Sequence, residues 1–251
     1  QIGDYMKLCL SVLAAVCAAT LPAFAAAHSD WSYTGDSSPE HWGGIKQDYA
    51  ACSSGKNQSP VDFASAQAAA GNSVKFAYAP SAYTVENNGH TIQATPEGQP
   101  QTISLGGKTF TFKQFHFHTP SEHTFRGNAY PMEVHFVHQS DTGELAVLGA
   151  VFTKGRENPA LKLLLAKKLQ SGEKTALSGK LDVMPLFPKD RRHFRLNGSL
   201  TTPPCSEGVN WVVFKTPVAA SEAQLDAMRA MIGQENNRPV QPLNARIVIE
   251  E

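Results

Sequence analysis

Seven short runs of alternating apolar and polar residues, at 74–78, 84–87, 102–105, 109–118, 132–138, 145–152 and 209–214, lie between prolines and glycines. Alternation at period two is the signature of a strand with one buried face, so most of this chain is committed to a sheet. Two segments break the rhythm. Asn158-Pro159 offers a helix cap and a first-turn proline, and Leu161, Leu164, Leu165 and Leu169 follow on one helical face. Ser221 and Gln224 form a capping box ahead of Leu225, Met228 and Ile232. With no internal repeat, low-complexity tract or linker, the 251-residue chain reads as a mainly β (α+β) protein with a single domain over 28–251.

Charge narrows the partners. Twenty-two basic and 22 acidic residues cancel, so nothing points to nucleic acid or an anionic membrane surface. The densest basic stretch, Lys189-Asp190-Arg191-Arg192, reads as a solvated turn. Residues 1–25 stand apart. Met6-Lys7 opens an apolar stretch over 8–24, and Ala23-Phe24-Ala25 supplies small residues for cleavage, the pattern of a secretory signal peptide. No stop-transfer charges follow it, so no membrane insertion is expected after cleavage. Its removal takes Cys9 and Cys17 away and leaves Cys52 and Cys205, which in an exported protein are expected to form one disulfide. The expected location is periplasmic or secreted.

The chemistry is concentrated in histidines. In an extended 109–118 segment, Gln114, His116 and His118 share one face while Phe115 and Phe117 face the core. Imidazoles at i and i+2 can reach one ion above the strand. His135, in the run MEVHFVH over 132–138, can join them from a neighbouring strand, because the 13 residues between His118 and Met132 are enough to reverse direction. Three neutral imidazoles suit Zn²⁺ and leave a fourth tetrahedral position open, as in catalytic zinc sites. Gln114 and Glu133 can orient ligand rings through the nitrogens that do not face the metal. The chain carries no His-Glu-x-x-His helix, nucleophile elbow, phosphate loop or dinucleotide fingerprint.

Taken together, QFHFHTPSEH (114–123), EVHFVH (133–138) and GSLTTPPC (198–205) resemble the α-class carbonic anhydrases. PEHWG (39–43), NQSPVD (57–62), NNGH (87–90) and RPVQPLNAR (238–246) extend the likeness along the chain, and the leader and cysteine pair resemble bacterial exported members. The resemblance implies a twisted, mostly antiparallel central sheet of about ten strands with peripheral helices. It implies zinc on His116, His118 and His135, and reversible hydration of CO2 to bicarbonate and a proton by attack of zinc-bound hydroxide. Thr201 would donate a hydrogen bond to Glu122 and accept one from the hydroxide, while His123 would be a buried structural histidine. His90 matches the proton shuttle, and Tyr33, Asn88 and Gln93 match positions that order the solvent network. Val137, Val147, Leu200, Thr202 and Trp211 match the substrate pocket. The oligomeric state is left open, a dimer being one expectation. Two rival readings share these residues: a zinc-free binding module of the same fold, and a general zinc esterase.

Overall fold

The computed structural model describes residues 30–71 and 74–251, so the leader, with Cys9 and Cys17, lies outside the described residues. Among the described residues, thirteen strands form one sheet. They are β1 (Gln67–Ala68), β2 (Lys75–Ala77), β3 (Tyr83–Asn87), β4 (Ile92–Pro96), β5 (Thr102–Leu105), β6 (Lys108–His118), β7 (Met132–Gln139), β8 (Leu145–Lys154), β9 (Lys174–Ala176), β10 (His193–Ser199), β11 (Glu207–Phe214), β12 (Val218–Ala220) and β13 (Ile249–Glu250). The main path runs β1-β13-β10-β11-β8-β7-β6-β4-β3-β9, with β2, β5 and β12 branching from it. Most pairings are antiparallel; β1 with β13, β11 with β8 and β12 with β8 are parallel. Helices α1 (Trp42–Ile45), α2 (Ala51–Ser54), α3 (Pro159–Leu164) and α4 (Glu222–Ile232) lie outside the sheet.

The two faces of the central strands serve different ends. Phe115, Phe117, Val134, Phe136, Leu148, Val212 and Phe214 pack into the larger apolar core. Val147, Val209, Trp211 and Val213 face the opposite way, into a smaller cluster with Phe194 and Leu196. β6 changes parity on the way. Phe110 and Phe112 face the larger core, and so do Phe115 and Phe117, because the pairing with β7 shifts register between Phe112 and Gln114. Strict alternation from Phe110 would turn His116 and His118 into that core. The irregularity at Lys113 turns them to the other face.

The helix readings divide. Ser221 caps α4 with the full reciprocal box to Gln224, and Leu225, Met228 and Ile232 are buried. Asn158 caps α3 through Ala160 N and Leu161 N, but the helix ends at Leu164. Leu169 still reaches the core from an irregular segment, its backbone N–H on the Met231 sulfur at 3.4 Å, so helical spacing is not what buries it. Strand β10 went unread because Arg195, Asn197 and Gly198 interrupt its apolar residues.

His138, against Phe112 of the larger core, is expected to make the fold acid-sensitive. Its Nδ1 donates to Ala146 O at 3.3 Å, which leaves Nε2 to accept from the Tyr78 hydroxyl. Burial holds its pKa down to about 3. An unfolded histidine takes up a proton near pH 6.5, so this contribution to stability is whole above that pH and is lost as pH falls toward 3. The expected slope is up to about 1.4 kcal/mol per pH unit. Urea midpoints for the parent and His138→Gln at pH 7, 5 and 4 should converge as pH drops; parallel slopes would contradict this assignment.

Candidate metal centre and active site

His116 stands opposite His135 in the β6–β7 ladder, and His118 stands opposite Glu133. The three rings lie with centroids 5.1 Å (His116–His118), 5.5 Å (His116–His135) and 4.6 Å (His118–His135) apart. One nitrogen from each falls within 4.8 Å of the others. Each ring also has a fixed outer partner. His116 Nδ1 donates to Gln114 Oε1 at 2.8 Å, His118 Nδ1 to Asn236 O at 2.7 Å, and His135 Nε2 to Glu133 Oε1 at 2.8 Å. Carbonyl and carboxylate oxygens only accept, so the protons sit on the outer nitrogens. In the neutral rings the lone pairs belong to His116 Nε2, His118 Nε2 and His135 Nδ1.

The electrostatics agree with neutral ligands at two positions. Burial, reinforced by the neighbouring imidazoles, holds His116 well below the usual histidine range, and burial lowers His118 against the pull of Glu122. His135 differs: burial works to lower it, but the Glu133 and Glu122 carboxylates together outweigh burial and raise it. Burial in turn works to raise Glu133, yet His123 and His135 hold that carboxyl well below its ordinary value.

Glu133 is the anchor of the site's floor. Its Oε2 accepts from the backbone N–H groups of Glu122 and His123, both at 2.9 Å, and its Oε1 accepts from His123 Nδ1 at 2.8 Å. Gly149 on β8 leaves room for it, since a Cβ there would stand 3.1 Å from Glu133 Oε1. His123, Glu133 and His135 form a second trio with metal-ligand spacing. Its carboxylate is already committed to those donors, so a cation there would have to break a satisfied buried network. The first trio has no such conflict: His118 Nε2 is buried with no hydrogen-bond partner.

Glu122 Oε1 accepts from Arg238 N at 2.8 Å. Its Oε2 lies 3.4 Å from His118 Nε2 and 3.8 Å from His135 Nδ1, and makes no hydrogen bond. The bond expected from Thr201 is therefore not made at that oxygen, although Thr201 is buried.

A pocket of ≈ 130 Å³ opens above the trio, lined by residues that include Tyr33, Asn88, His90, Gln93, Gln114, His116, His118 and Thr202. Trp31 forms its outer wall and stacks on His90, centroids 3.9 Å apart and planes 14° from parallel. Asn88 Oδ1 accepts from His90 N and Thr91 N, both at 3.0 Å, and so shapes the turn that presents His90. Gln93 donates to Glu86 Oε1 at 3.1 Å. Val137, Val147 and Trp211 form one row across β7, β8 and β11 beside Gln114. Leu200 packs with them, and Trp211 meets the His135 ring at 4.8 Å. Trp211 also donates to Ser199 O at 2.9 Å.

Sequence reasoning missed Asn236, Arg238 and Trp31. Asn236 is fully buried; besides receiving His118 it donates to His90 O at 3.0 Å and Phe117 O at 2.8 Å. Buried Arg238 donates to Cys52 O at 2.7 Å, and to Gln58 Oε1 and Ser59 O at 2.8 Å, while burial lowers its pKa to about 10. Arg238 opens the RPVQPLNAR stretch, but no local pattern marks the role of either residue, because their partners lie more than 100 positions away.

The model of the eukaryotic-type carbonic anhydrase family matches residues 37–251. The carbonic anhydrase of Neisseria gonorrhoeae is 44% identical over 241 residues, covering 96% of this chain and 95% of that protein. The solved α-carbonic anhydrase of Thermovibrio ammonificans, in complex with the inhibitor sulfanilamide, superposes with a TM-score of 0.84 at 48% identity, covering 87% of this chain and 98% of that one. The Photobacterium profundum α-carbonic anhydrase gives 0.82 at 46% identity, covering 87% and 99%.

The chain belongs to the eukaryotic-type carbonic anhydrase family. In this carbonic anhydrase the donor set fits a zinc ion: three convergent imidazole nitrogens, each held from behind, one of them buried without another partner. The disulfide is formed between Cys52 on α2 and Cys205, with Cα atoms 5.0 Å apart.

Proposed function

We propose that the chain hydrates CO2 reversibly to bicarbonate and a proton, with zinc held by His116, His118 and His135. The observation that carries this is the directed tautomer of all three rings, each fixed by an outer acceptor so that its lone pair faces the common centre. When bound, zinc supplies the Lewis acidity that makes water a nucleophile near neutral pH; carbonic anhydrase is the standard example of that effect. The protein's own residues do the rest. Three neutral ligands leave the cation's charge undiminished. The row of Val137, Val147 and Trp211, with Leu200, offers an apolar wall for uncharged CO2 next to His135. Thr202 reaches the pocket from the opposite loop. Glu122 Oε2, buried and without a hydrogen-bond partner, can accept from the Thr201 hydroxyl, which then presents its own lone pair to the reacting oxygen.

His90 is proposed as the group that carries the released proton to solvent. It lines the pocket with His116 and His118, and burial lowers its pKa, which favours the neutral ring that can accept a proton. Tyr33, Asn88 and Gln93 line the same pocket and offer polar atoms for the intervening solvent. His90→Ala should lower kcat roughly tenfold or more while leaving kcat/KM nearly unchanged, with added imidazole buffer restoring turnover. Equal losses in both constants without rescue would remove His90 from this role.

The zinc-free binding module is the weaker reading because every ligand and outer partner is present. The general esterase is weaker because Glu133 is held by His123 and His135, and the open oxygen of Glu122 is the one this reading gives to the Thr201 hydroxyl. The formed disulfide supports maturation in an oxidising compartment, and we place the enzyme in the periplasm or outside the cell. Stopped-flow CO2 hydration on native, metal-stripped and zinc-restored protein tests the proposal. Activity should vanish on stripping and return with one zinc per chain; undiminished activity in the stripped protein would refute it.

A further inference from the structure

Far from the histidines, a groove of ≈ 870 Å³ lies between the start of α3, the 184–191 loop and the approach to β12. Its volume lies within the range of small-molecule sites. Met184, Phe187, Pro188, Pro217 and Val218 give it apolar walls. Three cations line it, Arg156, Lys189 and Arg191, together with two carboxylates, Glu157 and Asp190.

The carboxylates are spoken for. Asp190 pairs with exposed Arg192 at 2.7 Å and accepts from Thr216 Oγ1 at 3.0 Å. Glu157 pairs with Lys162 at 3.1 Å. No ion pair forms to Arg156, Lys189 or Arg191 among the described residues. Arg191 is also the cation least like the solvated turn residue its sequence suggests. Its guanidinium lies 4.8 Å from the Phe76 ring centre, 5.8 Å from Phe187 and 5.9 Å from Phe214. Its Nη1 is buried with no hydrogen-bond partner, and burial lowers its pKa. A half-desolvated cation held by aromatic faces, beside apolar walls and two unpaired cations, is complementary to an anion carried on an apolar body.

We propose that this groove is a second ligand site, distinct from the histidine centre, which binds a small organic monocarboxylate through Arg191, with Arg156 and Lys189 at its rim. The apolar walls take the body of the ligand, and the rings fix the guanidinium so that little side-chain entropy is lost on binding.

The test is a fluorine NMR titration of the zinc-loaded protein with 4-fluorobenzoate, the histidine centre being held by sulfanilamide throughout. Saturable binding is expected, weakened about tenfold by Arg191→Met and about threefold by the surface variant Arg156→Gln/Lys189→Gln. CO2 hydration measured without the inhibitor should be unchanged in both variants. Because Arg191 packs on three rings, the surface double variant is the control that does not disturb the core. Absence of saturable binding, or equal affinity in the parent and the surface variant, overturns the proposal. Displacement of the probe by inorganic phosphate at matched ionic strength overturns the assignment of a carboxylate with an apolar body.

Discussion

His116→Ala is expected to leave a folded protein that holds no zinc and hydrates CO2 no faster than buffer. Removing this ring deletes one of three nitrogens and leaves Gln114 Oε1 without its partner. Two ligands remain, and neither can move to compensate. His118 is fixed by Asn236 O and His135 by Glu133, and their centroids stay 4.6 Å apart on rigid strands. The loss should be in the metal rather than the fold, since the larger core does not include His116. Zinc content by mass spectrometry, circular dichroism and stopped-flow hydration check it together. Retained zinc with normal turnover would show that the ligand set is wrong.

Removing the Cys52–Cys205 bridge should have the largest effect on stability. It closes a loop spanning 153 positions, which in the chain-entropy model corresponds to roughly 5 kcal/mol. In a domain of this size that is a fall in melting temperature of roughly 10–20 °C. Activity per zinc-loaded molecule should fall much less. The two bridged segments are also joined by Gln58 Nε2 donating to Cys205 O at 3.0 Å, and Arg238 braces the first of them by donating to Cys52 O and Gln58 Oε1. Those bonds survive reduction and hold the loop that carries Leu200, Thr201 and Thr202. Calorimetry of oxidised protein against the Cys52→Ser/Cys205→Ser variant measures the effect, and an unchanged melting point would contradict it.

The parts legible in the sequence were those governed by local periodicity. His116 and His118 share a strand face with Gln114, and the reversal after His118 brings His135 beside them, as two-residue alternation and connection length require. The capping box of α4 is a four-residue pattern and reads off directly. The bulge at Lys113 went unread although Phe110 and Phe112 stand out of phase with Phe115 and Phe117, because each half of β6 alternates correctly on its own and the pairing with β7 is what places the extra residue. Nor was Asn236, whose role rests on a backbone carbonyl that any residue possesses and on partners from distant strands. Arg191 was misread for a related reason. Polar neighbours made the 189–192 stretch look solvated, whereas three aromatic rings from separate segments close over its guanidinium.

The most direct test of the account is an anomalous difference map at the zinc absorption edge, from crystals of the protein as purified. The account predicts one peak per chain, enclosed by His116 Nε2, His118 Nε2 and His135 Nδ1. A peak among His123, Glu133 and His135, or no peak in a protein that hydrates CO2, would contradict it.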